Sequence, residues 1–224
     1  SVSATLLPLL LLLGSTQMIA AFKRSYQFEH VFKSAFCIGL LPMLYAPALP
    51  LVLIVPVTLV LYRRTLREAV VAAAGLLLPF FICSVVWWGL GDSFGLMGHE
   101  LLAGTTLGED TALPAFFGEK GVWSKVYIGL FAALTLCSAI IILRTLSSIR
   151  TRAKKIHIHF LWLLLLCLIS LLLPGNTIAS LGVLAVPCCV TVSAFFIRYR
   201  GWLPLAIYTV LTALMLYINL FPGV

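Results

Sequence analysis

A histidine and a carboxylate adjoin at His99-Glu100, and another carboxylate, Asp110, follows in the same polar stretch. A histidine beside a carboxylate is the combination that general acid–base catalysis and many metal sites use. These three residues are therefore the candidate catalytic groups of the sequence. Neighbouring positions on a helix point about 100° apart, so adjacency alone does not bring two side chains to one site. The alternative is a solvated pair of loop residues.

The amide of Gln17 is the polar side chain that is hardest to accommodate within an apolar run. An amide buried without a partner is costly, whereas Ser and Thr hydroxyls usually bond to a carbonyl of their own helix. Gln17 is therefore the candidate substrate-binding residue. It predicts either a contact between helices or a polar pocket.

The densest basic cluster runs from Arg144 to Lys155 and is followed by His157 and His159. Three partners would suit it: anionic lipid headgroups, an acidic protein surface, or the phosphate of a nucleotide-sugar or polyprenyl phosphate. The two histidines are two positions apart and so lie on different faces of a helix, which argues against a shared metal ion. The candidate residues for contact with headgroups or a partner are Arg144, Arg150, Arg152, Lys154 and Lys155.

Neither a metal nor a cofactor is expected from the remaining residues that could carry chemistry. The six cysteines lie in apolar runs without a CxxC spacing, and only Cys188 and Cys189 are adjacent. Cysteine in such a setting behaves as a small hydrophobic residue. The glycines at Gly98, Gly104 and Gly108 are not followed by the Lys-Ser/Thr pair of a phosphate-binding loop.

The chain that must position these groups is 62% hydrophobic and only 10% charged. A soluble domain is about 45–50% apolar and about 25% charged. So few charges cannot cover the outside of a water-soluble fold, so the composition predicts an all-α, polytopic helix bundle in a membrane. The net charge of +8 then indicates anionic lipid headgroups rather than nucleic acid as the partner.

Eight apolar segments are predicted, within a single transmembrane domain over 1–224. The stretch 34–62 holds 29 residues; as one helix it would be about 43 Å long, against about 30 Å of hydrocarbon core. Because it also contains four prolines, we predict a short Pro-broken hairpin or a re-entrant loop that turns near Tyr45. The predicted segments are 5–22, 34–46, 48–62, 69–90, 125–143, 156–173, 177–197 and 203–221, with an outer loop at 91–124.

The segments themselves are almost free of charge. No Asp, Glu, Lys, Arg or His lies in the middle of a predicted segment, which argues against a carrier driven by protons or sodium ions. Pro79 is expected to kink the segment 69–90. The same segment has a small-residue face suited to helix contact, formed by Ala69, Ala72, Ala73 and Gly75.

The distribution of basic residues predicts the orientation of the chain. The stretches 23–33, 63–68, 144–159 and 198–202 hold 13 of the 15 Lys and Arg residues. By the positive-inside rule these stretches are cytoplasmic, and the acidic loop 91–124 is periplasmic. With eight crossings, both chain ends lie outside.

Several stretches follow one another in a characteristic order: FKSAFCIGLLPMLYAP at 32–47, LRE at 66–68, GLLLP at 75–79, the basic-to-apolar stretch 144–162, and Val186-Pro187. This order resembles an uncharacterised family of multi-pass inner-membrane proteins of Gram-negative bacteria, a domain of unknown function. The resemblance implies a bacterial inner-membrane setting and no particular activity. Family members are longer at the N-terminus and this sequence begins at Ser1, so we expect a further span upstream.

Three functions remain open. The first is a non-catalytic subunit or scaffold of a cell-envelope assembly, with other membrane proteins as partners. The alternative is a carrier or flippase for an amphiphilic or polyprenyl-linked substrate, since prolines can break helices to line a site. The third is a membrane-embedded transferase with its site under the outer loop, using His99, Glu100 or Asp110.

Overall fold

The structure, a computed structural model, describes residues 2–21, 27–103, 121–147, 151–173, 178–198 and 201–220. Within these ranges the chain is helical and has no β-strand, so the predicted all-α class is confirmed. In chain order the elements are α1 (Val2–Ala20), α2 (Phe28–Leu44), a 3-10 segment (Ala46–Leu53), α3 (Ile54–Leu61), α4 (Leu66–Gly89), α5 (Leu96–Ala103), α6 (Val122–Thr145), α7 (Thr151–Leu171), α8 (Ile178–Arg198) and α9 (Trp202–Leu220).

Four helices in the described ranges are long and apolar enough to cross a membrane: α4, α6, α7 and the Ser180–Arg198 part of α8. Shorter apolar helices cover Thr5–Ala20, Ala46–Leu61 and Pro204–Ile218. The chain therefore has the helices of an integral membrane protein. The count of eight crossing segments stays a prediction.

The stretch 34–62 is interrupted at Tyr45, whose φ of −157° and ψ of 98° end α2. The 3-10 segment that follows carries Pro47 and Pro50, and each proline lacks the N–H that a continuous α-helix would need. That the two halves form a hairpin of two crossings, or a re-entrant loop, stays a prediction. In the part of the predicted outer loop that precedes residue 104, the structure contains a helix, α5, which was not predicted from the sequence.

The chain separates into two compact units. Unit 1 consists of Ser1–Ala112 and Ile158–Pro187, and unit 2 consists of Leu113–His157 and Cys188–Val224. The boundary between His157 and Ile158 falls inside α7, and the boundary between Pro187 and Cys188 falls inside α8. These two helices therefore each contribute residues to both units. A single transmembrane domain over 1–224 stays a prediction.

Unit 1 is built on close approaches of α2 to α1 and α4. A Cβ at Gly39 would lie 2.8 Å from the carbonyl oxygen of Leu76, and one at Gly75 would lie 3.0 Å from the carbonyl oxygen of Phe32. Small residues let helix backbones come this close. The Ser34 hydroxyl on α2 also donates to the Gly14 carbonyl on α1 at 2.7 Å.

The small-residue face of α4 is therefore partly buried within unit 1 and partly exposed. Ala72 and Gly75 are buried, and Gly75 packs against Ala35 of α2. Ala73 is exposed. Pro79 is buried, and its ring faces Gly39. The residues that the sequence marked for helix contact thus serve, in large part, packing within the chain itself.

Unit 2 has a smaller core, in which Leu134 of α6 packs with Val192 and Phe195 of α8. The Ser138 hydroxyl of α6 donates to the Thr191 carbonyl of α8 and fixes the same pair of helices. In contrast to the glycines of unit 1, Gly129 of α6 has no atom within 4 Å of the place where a Cβ would stand.

Candidate functional site

The one buried charged side chain in the described part of the chain is Glu68, which is 1% exposed. Its Oε1 accepts hydrogen bonds from Arg64 Nη1 at 3.0 Å and from the Gln27 backbone N–H at 3.5 Å. Its Oε2 accepts from the backbone N–H of Thr65 at 3.2 Å and from the Thr65 hydroxyl at 3.4 Å. A buried carboxylate is tolerated when it is paired and hydrogen-bonded in this way.

The local sequence explains why Glu68 is placed here. Helix α3 ends in a Schellman motif, with the Arg63 N–H bonded to the Val60 carbonyl and the Arg64 N–H bonded to the Leu59 carbonyl. Arg63 has a φ of +53°, the left-handed conformation that this motif requires. Thr65 then caps α4 and forms a capping box with Glu68, a carboxylate that the N-terminal helix dipole also favours.

Gln17 lies near the end of α1 and makes a contact between helices. Its Oε1 is 2.7 Å from Nδ1 of His30 on α2, and both side chains are half-buried. One helical turn before His30, the Gln27 N–H reaches Glu68. The amide is thus engaged by a neighbouring helix, and its role in substrate binding stays a prediction.

An exposed ion pair lies on the same helix as His30. Lys33 Nζ is 2.6 Å from Glu29 Oε1, and both side chains are largely exposed. The hydrogen bond from Lys33 and its positive charge lower the pKa of the Glu29 carboxyl below its ordinary value. α2 therefore carries a solvated pair on one side, while its N-terminal end bonds to the buried Glu68.

Glu68 and its donors Gln27, Arg64 and Thr65, here called the Glu68 cluster, join the start of α2 to the connection between α3 and α4. Its carboxylate oxygens are occupied by four donors and are closed to solvent. This geometry suits a structural clamp rather than a general base that must meet a substrate. The cluster was not predicted from the sequence, although its Thr-x-x-Glu spacing before an apolar run is a capping-box signal and its Arg64–Glu68 spacing is that of a helical ion pair.

The predicted catalytic residues fall in and after α5. His99 and Glu100 both lie on α5 and are exposed. Asp110 lies outside the described residues. A catalytic role for the three residues stays a prediction.

The predicted basic contact residues lie at the ends of α6 and α7. Arg144 is exposed in the last turn of α6. Helix α7 begins at Thr151, so Arg152, Lys154 and Lys155 lie on its first turns, directly before its apolar part. Arg152 is exposed, Lys154 and Lys155 are half-buried, and Arg150 lies outside the described residues. Contact with headgroups or a protein partner stays a prediction.

His159 falls in the overlap between the basic stretch 144–159 and the predicted segment 156–173. Helix α7 begins earlier than that segment, at Thr151, so His159 lies well inside the helix and has no exposed surface. Its ring meets the ring of Phe160 edge-on, with centroids 5.3 Å apart. Neither ring nitrogen has a hydrogen-bond partner among the described residues, and the same holds for the hydroxyls of Ser15 and Ser84. Buried polar groups of this kind are uncommon.

Among the described residues of unit 2, two grooves share Phe195 as a lining residue. The first, of about 400 Å³, lies among α6, α7 and α8 and has apolar walls with Thr145, His157, Ser193 and Arg198 among its lining residues. The second, of about 460 Å³, lies among α6, α8 and α9 and is lined by apolar side chains such as Leu130 and Val210. Phe195 lines both grooves.

Within the described ranges, no three His, Cys, Asp or Glu side chains lie close enough together to hold a metal ion. All six cysteines are free; of the adjacent pair, Cys188 is buried and Cys189 is exposed. No protein-family model, curated protein or solved structure matches the chain.

Proposed function

We propose that the chain is a non-catalytic subunit or scaffold of a cell-envelope assembly in the bacterial inner membrane. The proposal includes membership of the multi-pass inner-membrane family that the sequence resembles. It also includes the orientation expected from the basic residues, with the basic stretches in the cytoplasm and the loop 91–124 in the periplasm.

The observation that carries the proposal is the division of α4 into a fixed face and a free face. One face is held by α2 through Gly75 and Gly39, and the N-terminal end of the helix is held by the Glu68 cluster. The other face presents apolar side chains, among them Val70 at 70% and Leu77 at 65% exposure. A helix with a fixed orientation and an exposed apolar face is suited to bind a partner helix within the lipid.

Ala73 and Ala74 give this exposed face a place for close approach, because both are small and exposed. Association of helices in lipid depends on such packing, since the hydrophobic effect does not distinguish a neighbouring helix from lipid tails. We therefore place the partner contact at Ala73 and Ala74, with Leu77 and Phe81 along the same face.

Purification of the full chain from its native membranes in a mild detergent, followed by mass spectrometry of what co-purifies, tests the proposal. We expect a stoichiometric membrane-protein partner that is lost with Ala74→Leu. The matched control is Ala132→Leu, at an exposed alanine of α6, which should retain the partner. A chain that purifies alone, or a partner that both variants retain, would contradict the proposal.

The second candidate function is a carrier or flippase for an amphiphile, and the apolar groove with Arg198 and His157 favours it. Its test is the movement of a fluorescent phospholipid between the leaflets of vesicles that contain the purified chain. Accelerated movement would support the carrier, and movement at the rate of empty vesicles would exclude it.

A further inference from the structure

We propose that the first groove of unit 2 binds one anionic glycerophospholipid, with the lipid phosphate against Arg198 and His157 and an acyl chain along Phe195. For brevity we call this groove the lipid groove. The inference goes beyond the proposed function, because a subunit and a carrier could each hold such a lipid.

The shape of the groove separates an apolar part from a polar end. Its apolar walls come from α6 and α8, including Ile141, Val190 and Phe195. Along α8 the lining extends from Val190 to Arg198, which is about 12 Å of helix. Its volume of about 400 Å³ lies within the range of about 300–1,000 Å³ that ligand sites usually have.

The polar end lies where two helices terminate. Thr145 is the last residue of α6 and Arg198 is the last residue of α8, and both line the groove with His157 of α7. A guanidinium and an imidazole can donate hydrogen bonds to a phosphate, and the arginine can do so with two parallel bonds. This arrangement matches an amphiphile that has an anionic head and an apolar chain.

The C-terminal ends of α6 and α8 carry partial negative charge and repel an anion. Their charge must therefore be compared with that of the nearby cations. Each helix C-terminus carries about half a negative charge, and two of them balance one cation. Besides Arg198, unit 2 has Arg144 directly before Thr145, and Lys154 one helical turn before His157. This end of unit 2 is therefore net positive.

The stretch of sequence that holds these cations contains no acidic residue. From residue 120 to residue 224 there are nine Lys and Arg residues and no Asp or Glu. Arg64 in unit 1 has Glu68 as its partner, whereas the anion for Arg198 must come from outside this half of the chain. The phosphates of acidic lipids are the anions available at the cytoplasmic membrane surface, where the positive-inside rule places Arg198.

The test is a titration of the delipidated full chain, in detergent, with phosphatidylglycerol or phosphatidylcholine of identical acyl chains, followed by native mass spectrometry. We expect one saturable phosphatidylglycerol adduct that forms more tightly than the phosphatidylcholine adduct. Arg198→Gln should weaken this adduct about fivefold, the factor that one cation near an anionic lipid surface contributes. Arg198→Lys should keep most of the affinity.

Two further variants separate the groove from the general surface charge. Lys125→Gln removes an exposed cation near the start of α6, at the opposite end of the helix from Thr145 and not among the lining residues, and should leave the adduct nearly unchanged. Ala194→Phe fills the groove without changing charge and should weaken the adducts of both lipids, whereas Ala132→Phe at an exposed site should not.

Equal losses with Arg198→Gln and Lys125→Gln, or equal affinity for the two lipids, would overturn the proposal. A mass peak of a dimer that Ala194→Phe removes and the other variants keep would show that the groove binds a second copy of the chain. That result would also overturn the proposal. Loss of the protein partner with Ala74→Leu bears on the proposed function alone, so the two failures are distinguishable.

Discussion

In unit 1 the guanidinium of Arg64 lies 3.0 Å from the carboxylate of Glu68, whereas Arg198 of unit 2 belongs to the stretch 120–224, which contains no Asp or Glu. The two units also differ in packing: a Cβ at Gly39 would meet the backbone of α4, and a Cβ at Gly129 would meet nothing within 4 Å. Unit 1 thus pairs its buried carboxylate internally and packs its helix backbones closely. In unit 2, by contrast, we propose that Arg198 and the apolar groove beside it bind a lipid.

The comparison predicts its largest effect at Glu68. Glu68→Gln removes the charge that pairs with the mostly buried Arg64, and breaking a buried pair from one side costs about 3 kcal/mol of unfolding free energy. The measurement is unfolding of the purified chain in one detergent. The double variant Arg64→Gln/Glu68→Gln should recover part of the loss, because no buried charge is then left alone. Purely additive losses in the two single variants would contradict this account of the pair.

The second effect concerns helix packing. Gly39→Ala places a Cβ 2.8 Å from the Leu76 carbonyl oxygen and 3.2 Å from Leu76 Cα. Because backbone must then move, we expect a loss of about 2 kcal/mol. The matched variant Gly129→Ala lies within an exposed part of α6 and should instead gain up to about 1 kcal/mol from helix propensity. Equal effects in thermal unfolding would mean that the two units are packed alike.

The third effect isolates the turn that places Glu68. Arg63 adopts a φ of +53°, which costs a residue with a side chain about 1 kcal/mol and costs glycine little. Arg63→Gly should therefore stabilise the chain by about that amount. Arg67→Gly removes the same charge four residues later, inside α4, and should destabilise it by a similar amount. Changes of the same sign in the two variants would refute the assigned turn.

The smallest effect is expected at the exposed pair Glu29–Lys33. Since Lys33 lowers the pKa of Glu29 below its ordinary value of 4.5, the folded chain holds the charged form more strongly than the unfolded chain does. The resulting stabilisation is present above about pH 4.5 and is lost as the pH falls through the folded-state pKa. Unfolding of Glu29→Gln and the unchanged chain should differ little at pH 7 and converge in acid. If Glu29→Gln lost as much unfolding free energy as Glu68→Gln, the difference in solvent exposure between the two ion pairs would not explain their contributions to stability.

The long apolar helices could be predicted from the sequence because their length and composition are local properties. α4 was expected at 69–90 and spans Leu66–Gly89, and the prolines after Tyr45 marked a break that the structure contains. The Glu68 cluster was not predicted, since one of its donors, the Gln27 N–H, lies 41 residues away in sequence. The burial of His159 was missed because it follows a basic cluster whose polarity suggested a loop.

The lipid groove, like the Glu68 cluster, depends on contacts between residues far apart in sequence. Its cations were visible in the sequence as a topological signal, but their placement at the end of an apolar groove depends on how α6, α7 and α8 pack. Arg198 was counted among the cytoplasmic charges and was not singled out, because nothing in its local sequence distinguishes it from Arg200.

The proposals for both units require that the chain crosses the membrane with Arg144 and Arg198 on the cytoplasmic side. In a chain freed of its native cysteines, His99→Cys places a single exposed thiol on α5, before the candidate span α6 in sequence, and Arg144→Cys places one in the last turn of α6. A membrane-impermeant maleimide should label His99→Cys in cells whose inner membrane is intact, and Arg144→Cys only after that membrane is opened. Equal labelling of both thiols with the membrane closed, or the reverse order, would contradict the account.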